Sequence, residues 1–377
     1  MEKKKFPKKP KGKSTAFVLQ GGGALGAYQA GVYQALAEYD YTPDWIAGTS
    51  IGAINGGIIA GNEEAKRIAK LEEFWRAVSV QDLWDAASLP DMARSVYSFG
   101  SALAAMFTGR PGFFEPRPFY PLGDFPLSSA ETASYYDTAP LRKMLEDLID
   151  FDRINDQTIR LSLGAVNIRT GRLRYFDSKK ERICPEHIMA SGALPPGFPA
   201  VQVEGELYWD GAIYSNTPLE IVLDELPRVD TLCFLLALFN PEGPEPRSIT
   251  QVEDRHKDIL YGTRATEHVQ AYSKTHNLRR AVRALYARLP EDQRHDPALR
   301  EFAELGCHTT MHIVQLICPR RDWEVAFKDV DFSWAAIEDR WARGYRDAAR
   351  MLEWCPWEDP VSPHTGVVVH TLPPEPD

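Results

Sequence analysis

The segment Gly48-Thr49-Ser50-Ile51-Gly52 places one serine between two glycines, directly after the apolar residues Trp45 to Ala47 and before a run rich in small residues, Ala53 to Ala60. On a tight strand-to-helix turn this G-x-S-x-G spacing pushes the hydroxyl outward, and the flanking glycines make room where any Cβ would crowd. Such a hydroxyl attacks a carbonyl carbon once a base removes its proton, and the negative oxygen that forms needs fixed donors nearby. Gly21, Gly22 and Gly23, which come directly after "AFVLQ", can turn successive backbone N–H groups toward one anionic point at a helix N-terminus. A candidate base stands in "YWDGAIYSNTP": Asp210 ends a hairpin strand, Gly211 allows a tight turn, and Asn216 and Pro218 shape the chain beyond it. An aspartate with its ordinary pKa near 3.9 is a weak base, so the site has to desolvate it. Together these residues point to acyl transfer through a serine.

Each motif also has another reading. Gly21, Gly23 and Gly26 satisfy G-x-G-x-x-G after a strand, with Asp40 or Asp44 near the offset of a ribose-binding acid, the pattern of a nucleotide-binding protein. That reading leaves Ser50 and its glycines without a role. Asp210-Gly211 alone fits a plain turn, and the glycines alone fit close helix-sheet packing. A triad histidine would come after the acid, late in the chain. His256, His268, His276, His308, His312, His364 and His370 are available, but none stands at a glycine-marked strand end, and most are expected at the surface. His308 and His312 lie four apart beside Cys307, a spacing that suits a metal on a helix but not on the strand that "MHIVQLIC" predicts. No metal site is expected.

These residues need a framework. "TAFVLQ" predicts a strand, and Leu25, Tyr28, Val32 and Leu36 recur at helical spacing after the glycines. "PDWIAGTS" and "IGAINGGIIAGN" repeat the strand-glycine-helix unit, so a parallel sheet with helices on its faces is expected. Residues 84–136 mix Phe, Tyr, Pro and Gly without period and read as a loop-rich insertion, a candidate lid carrying Phe107, Phe113, Phe114, Phe119 and Phe125. Further on, "IRLSLGAVNIRTGRLRYFDS" and "VQVEGELYWDGA" read as hairpins and "TLCFLLALF" as a buried strand. After the linker "NPEGPEPRS" the chain is charged and mostly helical, the strand "MHIVQLIC" returns, and a helix starting at Ser333 carries Trp334, Ile337, Trp341, Tyr345 and Ala348 on one face. The final third is therefore expected to fold back onto the sheet.

The chain has 377 residues, 44% hydrophobic and 25% charged, enough to bury a sizeable core. Its formal charge of -10 argues against a nucleic-acid partner. Lysine is concentrated in the first thirteen residues, "MEKKKFPKKPKGK", a basic tail able to touch an anionic membrane surface. The apolar run after the tail is too short for a secretory signal, and the longest apolar stretch is too short to span a bilayer. Five widely spaced cysteines, Cys184, Cys233, Cys307, Cys318 and Cys355, fit a reducing compartment. The expected location is the cytoplasm, with peripheral membrane contact through the tail.

"GGGALG", "GTSIG" and "DGA", in that order, together resemble the patatin-like phospholipase family, as does "ASGALPPGFPAV" (Ala190 to Val201) before the aspartate. The likeness covers residues 14 to 240. The C-terminal third and the "GRPGFF" insertion are similar to a bacterial subgroup whose extra region has no assigned function. The resemblance implies a three-layer α/β/α fold with a mostly parallel central sheet, comprising a catalytic domain over 14–245 and a largely helical extension over 246–377. It also implies a lipase or esterase of the phospholipase type that uses a Ser-Asp dyad without histidine and no cofactor. Carried over by position, Ser50 is the nucleophile, Gly48 and Gly52 flank its elbow, Asp210 is the base, and the amides around Gly21, Gly22 and Gly23 form the oxyanion hole. One departure stands out: many family members carry arginine where this chain has Leu25, so the expected substrate is a carboxylic ester, lipid or not. The expected alternatives are a nucleotide-binding protein and a catalytically inactive lipid-binding protein.

Overall fold

Ala16 to Leu19 is apolar at every position, which suits a strand covered on both faces. The computed structural model, which describes residues 12–80, 90–117, 129–321, 327–362 and 365–373, sets this strand inside a nine-stranded sheet. Most of the basic tail, together with Phe119, Phe125 and His364, lies outside the described residues.

Strand β1 (Ser14–Leu19) pairs in parallel with β2 (Trp45–Gly48) on one side, and a two-residue ribbon of β3 (Glu115–Pro116) and β4 (Tyr136–Asp137) stands apart from the sheet. Next to β2 runs β5 (Arg160–Asn167), flanked by β6 (Leu173–Asp177) and by the hairpin of β7 (Val201–Val203) and β8 (Glu206–Asp210). On the other side of β1 come β9 (Thr231–Ala237), β10 (Met311–Ile317) and β11 (Val367–Thr371), all parallel. The sheet is thus mostly parallel, with antiparallel pairing confined to the β5–β8 end.

Alternation along β1 divides the core. Phe17 and Leu19 join one cluster with α1 (Ala27–Glu38), α2 (Ile51–Ala60), α3 (Glu64–Val78) and the helix Trp334–Trp354. Ala16 and Val18 join a second cluster with Leu219, Val222, Leu223 and Val269 of the long helix Ile249–Ala287. Helices therefore cover both faces, giving three layers. No helix of the described residues is long and apolar enough to cross a membrane.

The structure corrects the sequence reading at one place and adds to it at two. The segment 84–136 contains the helix Asp91–Thr108, with Ala102 and Ala105 buried and Phe107 exposed; the Pro- and Gly-rich texture begins only at Gly109 and says nothing about the residues before it. Strand β11 was not foreseen from "VVVHT", although three successive valines favour a strand. On the helix Trp334–Trp354, Ile337 and Ala348 are buried and Trp334, Trp341 and Tyr345 pack half-buried against the same core, while Arg340 and Arg343, which the apolar pattern does not mark, also take buried places. Arg340 can be buried because its guanidinium donates to the carbonyls of Asp331 and Lys328, each at 2.9 Å.

Candidate active site

Strands β2 and β8 meet end to end. β5 pairs with β2 through Arg160–Leu163 and with β8 through Ala165–Asn167, while β6 takes residues 162–166 on its other edge. One edge of β5 thus delivers Gly48 from below and Asp210 from above. Ser50 and Asp210, far apart in sequence, become neighbours at the carboxyl ends of β1 and β2, where open α/β sheets hold their ligands.

Ser50 has φ 56° and ψ -123°, a conformation costly for a residue with a side chain. Its amide is held by Ser191, which accepts through its carbonyl at 3.0 Å and its hydroxyl oxygen at 3.2 Å, while the Ser191 hydroxyl donates to the Gly164 carbonyl at 2.7 Å. A Cβ on Gly48 would stand 2.5 Å from the Gly52 carbonyl oxygen, and one on Gly52 would strike the Leu19 carbonyl. Both positions therefore require glycine for close approach.

Asp210 is fully buried. Its Oδ1 accepts from the Ala212 amide at 2.8 Å, and its Oδ2 has no hydrogen-bond partner. Burial pushes its pKa up to about 7, opposed by the Ala212 amide and by the nearby Ser50 hydroxyl. A carboxylate lifted to that level is a competent base near neutrality.

In the glycine loop, the Gly21 amide donates to the Asn216 carbonyl at 3.1 Å, and the Asn216 side chain donates back to the Gly21 carbonyl at 3.0 Å. Gly21 is thus committed as a donor. Among the described residues no acceptor engages the Gly22 or Gly23 amide. Gly23 has φ +55°, and the main-chain carbonyl of Asp329 lies against it, so no other residue fits there.

Ser50, Asp210, Gly21, Gly22 and Gly23 all line one cavity of about 310 Å³. Its walls are largely apolar, among them Met106, Phe113, Phe114, Phe198 and Phe332. Phe113 and Phe114 face inward from the predicted insertion, whereas Phe107 does not line the cavity. Sequence reasoning missed Ser191, Lys257, Tyr261 and Asp329. The first stands inside "ASGALPPGFPAV" and was within reach; the other three come from the C-terminal third, Lys257 and Tyr261 on a charged helix and Asp329 in a short turn, where no local pattern marks which residue faces a cavity.

No histidine among the described residues lines the cavity. His276, His312 and His370 are buried rather than superficial; His312 pairs with His370 at 3.0 Å, and His308 instead meets Arg283. Asp44 accepts from the Thr15 amide at 2.7 Å, at the opposite end of β1 from the glycines, so it cannot serve a ligand held at the loop. Asp40 lies beyond the far end of α1.

A family described as patatin-like phospholipase matches residues 17–223, and one described as patatin phospholipase matches residues 259–364. A lysophospholipase, nte1, of Aspergillus terreus is 53% identical over 49 residues, 13% of this chain and 3% of that protein. The chain thus matches only a small part of that relative's length. Among solved structures, VipD of Legionella pneumophila is 14% identical with a TM-score of 0.38, covering 92% of this chain and 68% of that one. Human GIVD cytosolic phospholipase A2 is 11% identical with a TM-score of 0.33, covering 59% and 42%. The type III effector ExoU is 13% identical with a TM-score of 0.33, covering 92% and 54%.

Proposed function

The chain belongs to the patatin-like phospholipase family, and from that premise we propose that it hydrolyses lipid acyl esters through a Ser50-Asp210 dyad. The observation that carries this reading is the meeting of a serine in a strained turn, a buried carboxyl with its pKa near 7, and two glycine amides without an acceptor among the described residues, in one apolar cavity.

Ser50 Oγ attacks the ester carbonyl carbon and its proton passes to Asp210. The carbonyl oxygen becomes an oxyanion held by the Gly22 and Gly23 amides, with the helix dipole of the turn behind them. As the tetrahedral intermediate collapses, the leaving alcohol takes the proton from Asp210 and the acyl group stays on Ser50. Water then gives its proton to Asp210 and attacks the acyl carbon, and Ser50 leaves with that proton. Gly21 acts differently from its neighbours: bonded to Asn216, it fixes the loop instead of binding the oxyanion. The Phe113, Phe114, Phe198 and Phe332 wall takes the acyl chain, since burying chain methylenes there is favourable by about 0.8 kcal/mol each.

Because the base must be ionised, kcat/KM for a neutral ester is expected to fall about tenfold per pH unit below a midpoint near 7. Ser50→Ala and Asp210→Asn are expected to abolish turnover across the range. Full activity in Asp210→Asn, or a flat profile from pH 5 to 8, would remove Asp210 from the mechanism.

A further inference from the structure

Among the described residues, the charged side chains lining the cavity besides Asp210 are Lys257 and Asp329, both from the C-terminal third. Lys257 lies on the long helix Ile249–Ala287 and Asp329 in the turn Lys328–Val330. Lys257 Nζ stands 2.7 Å from each Asp329 carboxylate oxygen, and the two side chains are 30% and 24% exposed. Their backbones are clamped: the Asp329 carbonyl abuts Gly23, Arg340 binds the carbonyls of Lys328 and Asp331, and Lys328 donates to Asp258 at 2.6 Å, one residue past Lys257. Behind them Asp254, Asp258, Lys328 and Arg320 offset one another's charges.

We propose that Lys257 and Asp329 are the polar subsite of this cavity and receive a zwitterionic head group, its phosphate on Lys257 and its ammonium on Asp329. This rests on the acyl-hydrolase reading for the position of the ester. With the carbonyl at Ser50 and the chain along the phenylalanines, the alcohol side of a glycerophospholipid has its phosphate a few bonds from the ester, and the Lys257–Asp329 pair lines the same cavity beside the glycine loop. The charge pattern selects the class. A purely anionic group reaching Lys257 must face Asp329, and a purely cationic one must face Lys257. A zwitterion replaces one ion pair with two and leaves no charge uncompensated in a partly dry site. Tyr261, one helical turn beyond Lys257, lines the same cavity with its ring 4.9 Å from that of Phe239, and adds an aromatic face for the ammonium.

The test compares kcat/KM for phosphatidylcholine, phosphatidylglycerol and diacylglycerol of identical short acyl chains, in wild type, Lys257→Gln, Asp329→Asn and, as a control on the same helix, exposed Lys274→Gln. Wild type and the control are expected to favour phosphatidylcholine, and Lys257→Gln and Asp329→Asn to lower its ratio to diacylglycerol at least tenfold. An unchanged ratio, or a wild-type preference for phosphatidylglycerol, overturns the proposal. Calorimetric titration of Ser50→Ala with monomeric dihexanoyl-phosphatidylcholine separates the subsite from the chemistry. Binding that weakens tenfold when Lys257→Gln is added supports the subsite even if no ester is turned over. Binding indifferent to Lys257 overturns it and leaves the hydrolase reading intact.

Discussion

Asp210 is held where its charge is costly. A carboxyl whose folded pKa near 7 exceeds its unfolded value near 3.8 binds more protons folded than unfolded between those limits, so its contribution to stability falls as pH rises through that window. The penalty is full above pH 7 and absent below about 4. Asp210→Asn should therefore be more stable to unfolding than wild type at pH 8, by on the order of 2–4 kcal/mol, and match it near pH 4. Equal stabilities at both values would mean that the carboxyl is not desolvated. Ser50, Asp210 and the glycines could be singled out as candidates in the sequence because the proposed nucleophile turn and oxyanion loop would impose glycines at fixed local offsets, and the structure brings Ser50, Asp210, Gly21, Gly22 and Gly23 to one cavity. Ser191 and Asn216 were less so, since what they contribute is a hydrogen bond to a backbone group distant in the chain, which no spacing encodes.

At the scale of elements, the site depends on how closely helices can approach. Gly31 on α1 lies against the Trp341 carbonyl, and Gly344 on the facing helix lies against the Tyr28 carbonyl, so the two backbones nearly touch. That helix carries Arg340, which holds the turn bearing Asp329 against Gly23. Gly344→Ala drives a Cβ into the Tyr28 main chain and is expected to cost about 1–3 kcal/mol, read as a lower Tm. Unchanged melting would show that the helices part without cost. Apolar periodicity did reveal the helix Trp334–Trp354 and the face that packs on the core, but not its buried Arg340, because periodicity cannot foresee that carbonyls at a turn will offset the desolvation of a buried arginine.

At the scale of the molecule, the C-terminal third is tied to the sheet and to the cavity at once. β10 pairs with β9 through Met311–Ile317, and β11 covers β10 in turn. We expect a chain ending at residue 245 to expose the β9 edge and the apolar faces around Leu235 and Phe234, and to be insoluble or unfolded. A soluble, cooperatively melting fragment would instead make 14–245 an independent unit. The return of a strand near Met311 was readable from composition. The delivery of Lys257 and Asp329 into the cavity was not, because it arises from where the long helix and the turn Lys328–Val330 pack and not from any local pattern.

The most direct test of the dyad is intact-mass analysis after incubation with a fluorophosphonate, whose phosphorus bonds to an activated serine oxygen as fluoride leaves. The account predicts one adduct on wild type, none on Ser50→Ala and strongly slowed labelling of Asp210→Asn. An adduct that persists in Ser50→Ala, or a wild type left unlabelled, would contradict it.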